Sequence, residues 1–329
     1  MAFKDIAGNT AIKRVLRLAL ERSRAPHSLI FAGPEGVGKM ATALTLAKAL
    51  NCRAVTADSC DECPSCRAVD NDTHPDVMTL SVEVQKVKAE QTDLLKRMAY
   101  LRPMMGKRRV FIIDDAKDMS PQAANSLLKV LEEPPSFTHV ILLTDSPHLL
   151  LPTIRSRCRL LPFSPIGREE IEENLLRLDF SRDQARILAL LVDGNLDRAR
   201  ELDWEEVQAL REEAWGLFEA LASADRSSLF LERFGTVPKS IQESFAQVLE
   251  IFATFARDLL LLRLAGDPAL LINPDFEERL REASSSWSRD ALLGVLGELD
   301  ALLVELKRNM NKNLLATAFV ANFRELRHV

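Results

Sequence analysis

The segment Gly33-Pro34-Glu35-Gly36-Val37-Gly38-Lys39-Met40 constrains this chain more than any other. An apolar run, HSLIFA (27–32), leads into it, and an alanine-rich helical stretch, ATALTLAKAL (41–50), follows. Strand, glycine loop and helix in that order make a phosphate cradle. The glycines let the backbone curl, the unpaired N–H groups of the helix N-terminus face an anion, and the lysine adds positive charge. The last position departs from the pattern. A working cradle ends in Ser or Thr, whose hydroxyl ligates magnesium, whereas Met40 offers only a soft thioether that a hard cation does not favour.

Further short apolar runs alternate with helical patterns at 76–81, 109–114, 138–144 and 158–163, which predicts an α/β domain with a mainly parallel sheet. Pro121–Glu133 is predicted helical, capped by Ser120 and ended by Pro134-Pro135. The run RVFIID carries the acids expected opposite a phosphate loop, Asp114 for the magnesium shell and Asp115 where a glutamate ordinarily polarises water. Asp115 is one methylene short of that glutamate, and misplacement by about 1 Å costs roughly 100-fold in rate. After residue 165 strand patterns stop. The expected organisation is an α/β core over 1–165, a small helical lid over 166–204 with Asn195 as a cap, and an all-α domain over 205–329 with helices near 205–224, 239–265, 286–309 and 312–326.

Cys52, Cys60, Cys63 and Cys66 place four thiols within 15 residues, and two-residue gaps suit ligands wrapping one tetrahedral ion. A structural zinc site is the expectation; Cys158, far along the chain, is expected to pack. The start of the chain, MAFKDIAGNT, lacks signal-peptide features and no run of about 18 apolar residues occurs, so a cytoplasmic protein without membrane contact is expected. The net charge of −5 is uneven. Residues 1–165 hold 23 Lys+Arg against 18 Asp+Glu, and the remainder 20 against 30, so the first half is the better nucleic-acid face.

The series HSLIFAGPEGVGK, the four cysteines, HPDV (74–77), AANSLLKVLEEPP (123–135) and LLPTIRSRC (150–158) resembles the AAA+ clamp-loader subunits of bacterial DNA polymerase III. The likeness is dense through residue 165 and thinner beyond, where the lid and NMNKNLLATAF (309–319) still match. It implies an AAA+ core, a helical lid and a helical collar. It also implies a pentamer with gamma/tau ATPases and a delta subunit, which places the sliding beta clamp on primed DNA. Two kinds of subunit share these motifs, the ATPases and a kind with a degenerate nucleotide site. Met40 and Asp115 point to the second, as does Asp197, which stands where the ATPases carry a phosphate-sensing arginine; Thr144 matches a sensor position with little to sense.

By the same resemblance Arg157 is a finger supplied in trans to a neighbour's nucleotide, with Arg155 a second candidate. Gly33, Gly36, Gly38, Lys39 and Asp114 form a remnant site at which binding of ATP with magnesium is expected to be weak or absent. Two rival readings stand beside this one: an active gamma/tau-type ATPase that tolerates Met40, and a zinc-dependent DNA-binding module. His74 is expected to be structural, Lys107-Arg108-Arg109 a solvated approach to a strand, and the leucine-rich stretch 258–266 a core helix.

Overall fold

All five apolar runs form strands of one sheet: β1 (Ser28–Ala32), β2 (Val77–Leu80), β3 (Arg109–Ile113), β4 (Thr138–Thr144) and β5 (Arg159–Pro162). The computed structural model describes residues 1–80, 95–192, 194–222, 242–264, 266–307 and 312–327. The strands are parallel in the order β2-β3-β4-β1-β5, which leaves β1 between β4 and β5. Strands β1, β3 and β4 are buried along their whole length, as near-continuous Val/Ile/Leu runs require when both faces are covered.

One face packs on a cluster that includes Phe3, Leu16, Leu46 and Phe163 from α1 (Thr10–Glu21), α2 (Lys39–Asn51) and the terminal segments. The other face packs on Ala123, Leu127 and Val130 of α4 (Pro121–Glu132), with Cys158 against the same cluster. Ser120 caps α4 by accepting from the Ala123 N–H at 3.2 Å. Burial pushes the Cys158 thiol up to about 12, consistent with a packing role.

The cysteine segment, with its helix α3 (Pro64–Asp70), is pinned to α2 through a lysine. Lys48 is 1% exposed and reaches Asp61 at 2.5 Å and Asp70 at 2.9 Å, while the chain's amino terminus meets Asp61 at 2.7 Å. A second buried anchor is Asp76. Its carboxylate accepts from the N–H groups of Met104, Met105 and Gly106 at 2.7–2.8 Å and pairs with Arg109 at 2.9 Å. Arg109 is therefore a core residue, 2% exposed, and not the solvated side chain its basic neighbours suggested. His74 is structural, its Nδ1 accepting from the Asp76 N–H and its Nε2 facing the Ser65 hydroxyl at 3.0 Å.

Two compact units divide the chain, Met1–Asn174 with Asp193–Arg198, and Leu175–Val192 with Ala199–Val329. The division runs through the segment 166–204. The second unit is helical, with Trp204–Ala222, Gln242–Leu264, Arg289–Lys307 and Lys312–Arg327 close to the expected spans. A further helix, Glu277–Ser284, was not foreseen. The start of the helix expected at 239 and residues 309–311 of NMNKNLLATAF lie outside the described residues. Its core is aromatic: Trp215 meets Phe255 edge-on at 5.1 Å, and Phe218 meets Phe323 at 5.8 Å. The leucine-rich stretch is helical as far as Leu264; Leu259 is fully covered, as expected of a core helix, whereas Leu264 at its end is 62% exposed. Among the described residues no helix is long and apolar enough to cross a membrane.

Candidate functional site: a degenerate phosphate cradle, a cysteine cluster and an exposed arginine

The phosphate loop occupies the edge where the parallel strands end. Gly33 continues β1, its N–H donating to the Thr144 carbonyl of β4 at 3.0 Å. Gly36 and Gly38 hold φ of +65° and +85°, a region that side chains rarely enter, and Gly38 then starts α2. A Cβ on Gly36 would lie 1.6 Å from Asn195 Oδ1, so the residue just before α6 (Leu196–Glu201) rests directly on the loop. The Leu196 N–H donates to Gly36 O at 3.1 Å, and Asn195 Oδ1 accepts from the Arg198 N–H at 2.9 Å, the cap anticipated for this residue.

Lys39 turns back on its own loop, donating to the carbonyls of Gly33 at 2.7 Å and of Pro34. The cavity beside it measures about 260 Å³ and is lined by Lys39, Met40 and five acids: Glu35, Asp114, Asp115, Asp145 and Asp197. Burial pulls the Lys39 pKa down, opposed by the charges of Asp114, Asp145, Glu35 and Asp115. Asp145 pairs with Lys117 at 2.6 Å. Asp114 Oδ1 accepts from the Asp115 N–H at 3.1 Å, and Asp115 sits at φ +44°. Thr144 is buried, and its hydroxyl oxygen accepts from the Ser146 N–H at 3.1 Å. Met40 packs its thioether on the hydrophobic cluster of the α1/α2 face. The geometry thus brings together the loop, Lys39 and Asp114 that the sequence assigned to the cradle, places Asp197 beside them, and adds Glu35 and Asp145. A triphosphate placed here would face several carboxylates with one lysine and no hydroxyl at position 40.

The four cysteines converge: their Sγ atoms all lie within 4.8 Å of one another. A tetrahedral zinc with Zn–S bonds of about 2.3 Å needs sulfur–sulfur edges of about 3.8 Å, so the cluster fits the ion with small adjustment. The backbone already supports thiolates. Val55 N–H donates to Cys52 Sγ at 3.4 Å, Cys63 N–H to Cys60 Sγ at 3.3 Å, and Cys66 N–H to Cys63 Sγ at 3.5 Å. Burial acts to raise the Cys63 thiol, but N–H donors from Arg53 and Cys66 outweigh it and bring it down to about 6.

Arg157 lies at the opposite edge of the sheet. It precedes β5, whose last residue Pro162 pairs with Ala32 next to the loop, so about five strand residues, roughly 16 Å, separate it from the cradle. Its backbone closes the turn after α5 (Pro152–Arg155), and its guanidinium is partly exposed. One terminal nitrogen donates to Thr153 O at 2.9 Å; the other pairs with Glu132 of α4 at 2.6 Å. Arg155 ends α5 exposed and borders a shallow cavity with Ser156 and Leu160. The Glu132 partner was not foreseen, although it stands within the EEPP run that ends the preceding helix.

A family model described as DNA polymerase III, delta subunit, matches residues 8–167. The subunit delta′ of DNA polymerase III from Bacillus subtilis is 29% identical over 92% of this chain and 91% of its own length. The subunit tau of Escherichia coli is 34% identical over 61% of this chain, but that match spans only 32% of tau. The subunit tau/gamma of Haemophilus influenzae is 34% identical over 54% of this chain and 26% of its own length.

Proposed function

This chain belongs to the family of DNA polymerase III clamp-loader subunits, and on that footing we propose that it is the delta′-type member: a subunit that does not hydrolyse ATP itself but completes a neighbour's ATPase site. The reading divides the chain into AAA+ core, lid and collar, and sets it in a ring with gamma/tau ATPases and a delta subunit that loads the beta clamp on primed DNA. Arg157 is the group it donates.

The observation that carries the proposal is the pairing of a carboxylate-lined cradle with an arginine on the far edge of the same sheet. With Glu35, Asp114, Asp115, Asp145 and Asp197 around a single lysine, the cavity opposes a polyanion at close range. Arg157, roughly 16 Å away along the strands, is out of reach of that cradle, so its charge is of use only to phosphate bound elsewhere. A guanidinium supplied to a transferring phosphoryl is worth 1,000-fold or more in rate. The four cysteines hold a structural zinc in this proposal, and Lys48 ties that module to α2.

Purified chain, alone and reconstituted with the ATPase and delta-type subunits, tests it by steady-state ATP hydrolysis. The isolated chain is expected to be silent, and Arg157→Ala is expected to depress turnover of the assembly while leaving assembly intact on gel filtration. Turnover by the isolated chain would instead assign it to the ATPase class.

A further inference from the structure

A second cavity, of about 540 Å³, opens where the strands begin, at the edge of the sheet away from the phosphate loop. His27 stands immediately before β1, His139 near the start of β4, and Lys107 and Arg108 immediately before β3; all four line it, with the residues that follow Cys52 forming another wall. Among the described residues no carboxylate lines this cleft, in contrast to the five around Lys39. Its size lies within the range of small-molecule sites, roughly 300–1,000 Å³.

The polar groups in its wall are arranged for more than packing. The imidazoles of His27 and His139 stack with centroids 4.8 Å apart and planes 17° from parallel. His139 Nδ1 lies 3.0 Å from the Pro26 carbonyl oxygen, which only accepts, so Nδ1 carries the proton. His139 is 3% exposed, and its Nε2 is buried with no hydrogen-bond partner among the described residues. Burial holds this imidazole down at about 4, so near neutrality Nε2 presents a lone pair. An unpaired buried acceptor costs on the order of 1–3 kcal/mol, which a ligand donor would recover. Lys107 spends one donor on Cys52 O at 3.3 Å and Arg108 one on Ser136 O, and each cation has others.

Two cations without a competing acid select an anion, the imidazole pair offers a flat aromatic surface, and the lone acceptor requires an N–H or O–H on the ligand. We propose that this cleft binds a phosphate monoester of nucleoside-monophosphate size, with its phosphate on Lys107 and Arg108, its ring against the imidazole pair and one donor on His139 Nε2. The same chemistry is carried by a free nucleotide and by the 5′ end of a DNA strand.

Calorimetric titration of the full chain with AMP, and separately with a short 5′-phosphorylated oligothymidylate, tests this and tells the two sources apart. The expected result is saturable binding of at least one probe, weakened about tenfold by Arg108→Gln and by His139→Leu and unchanged by Lys39→Ala. Circular dichroism checks that each variant is folded. Arg108 is half-buried and makes no side-chain ion pair among the described residues, so Arg108→Gln decides the matter if His139→Leu fails to fold. Absence of binding by either probe at millimolar concentration would overturn the proposal. So would binding that Arg108→Gln leaves intact, or that Lys39→Ala abolishes, since the latter would assign the ligand to the phosphate loop.

Discussion

Arg157, in the turn between α5 and β5, forms an ion pair of 2.6 Å with Glu132 at the end of α4, with both side chains partly exposed to solvent. The carboxylate and the Thr153 carbonyl fix the direction of the guanidinium, so on the proposed reading it is ordered before a neighbour's nucleotide reaches it. Because an exposed pair contributes about 0–1 kcal/mol, a phosphoryl group can displace Glu132 at small cost. Arg157→Ala is expected to leave the unfolding midpoint of the isolated chain within about 2 °C and to slow the one site it completes by roughly 1,000-fold, so that turnover of the assembly falls by that site's share. Arg157→Lys should be nearly as damaging, since an ammonium lacks the planar fork. Glu132→Gln, in contrast, should change assembly turnover only a few-fold.

On the proposed reading, a single substitution at position 40 does not create a working nucleotide site. Met40→Thr restores the missing hydroxyl but leaves Glu35, Asp145 and Asp197 beside Lys39. Equilibrium binding with a fluorescent ATP analogue and magnesium is expected to detect no difference between wild type and Met40→Thr. A tight complex formed by that single variant would show that the surrounding acids do not govern occupancy.

The cysteine cluster is expected to hold one zinc per chain by elemental analysis of purified protein, and Cys63→Ser to reduce that content. Removal of the ion by a chelator should lower the unfolding midpoint by at least about 5 °C, since it frees a segment whose only charged ties to α2 are the Lys48 pairs with Asp61 and Asp70 among the described residues.

Two buried groups give the stability of the first unit opposite requirements from its charges but the same sensitivity to acid. Burial acts to raise the Asp76 pKa, but three N–H donors and Arg109 outweigh it and lower the carboxyl below its ordinary value. Asp61 is likewise brought down to about 2, against burial, by Lys48 and the amino terminus. A depressed carboxyl stabilises the fold above its unfolded pKa near 4, and that contribution is lost as pH falls toward the folded value. His139 adds an earlier loss. Its imidazole is held at about 4 by burial while the unfolded side chain titrates near 6.5, so the unfolded state takes up a proton first as pH drops from 6.5 to 4. That difference corresponds to about 3 kcal/mol at most. Urea titrations should therefore show stability declining below pH 6.5 in wild type, with a flatter profile in His139→Leu over that window. Asp76→Ala should cost about 3–5 kcal/mol at pH 7, because it leaves Arg109 buried without its partner.

What could be read in the sequence was whatever local spacing encodes. Gly33, Gly36, Gly38 and Lys39 lie within seven residues, Cys60, Cys63 and Cys66 likewise, and each β-strand is a contiguous apolar run. Period and spacing were enough for these, and for the helices of the second unit apart from Glu277–Ser284, whose high charge masks a single buried leucine, Leu280. The features that escaped are contacts between distant positions. Asn195 against Gly36, Asp145 beside Lys39, Glu132 with Arg157, and His27 on His139 each join residues 25 to 160 positions apart, and no short pattern records them. Arg109 is the instructive miss. In a run of three basic residues nothing local distinguishes the one that β3 turns inward onto Asp76.

The thioether at position 40 has a consequence beyond the ion it fails to hold. Because it leans on the same cluster as Phe3, Leu46 and Phe163, it has become mortar for the first unit. Exchange for a small hydroxyl residue would strip apolar contact worth about 1 kcal/mol and return nothing while the cavity stays acidic. On the reading proposed above, packing fixes the thioether in place: each step toward a working nucleotide site would weaken the scaffold before it could recover any chemistry.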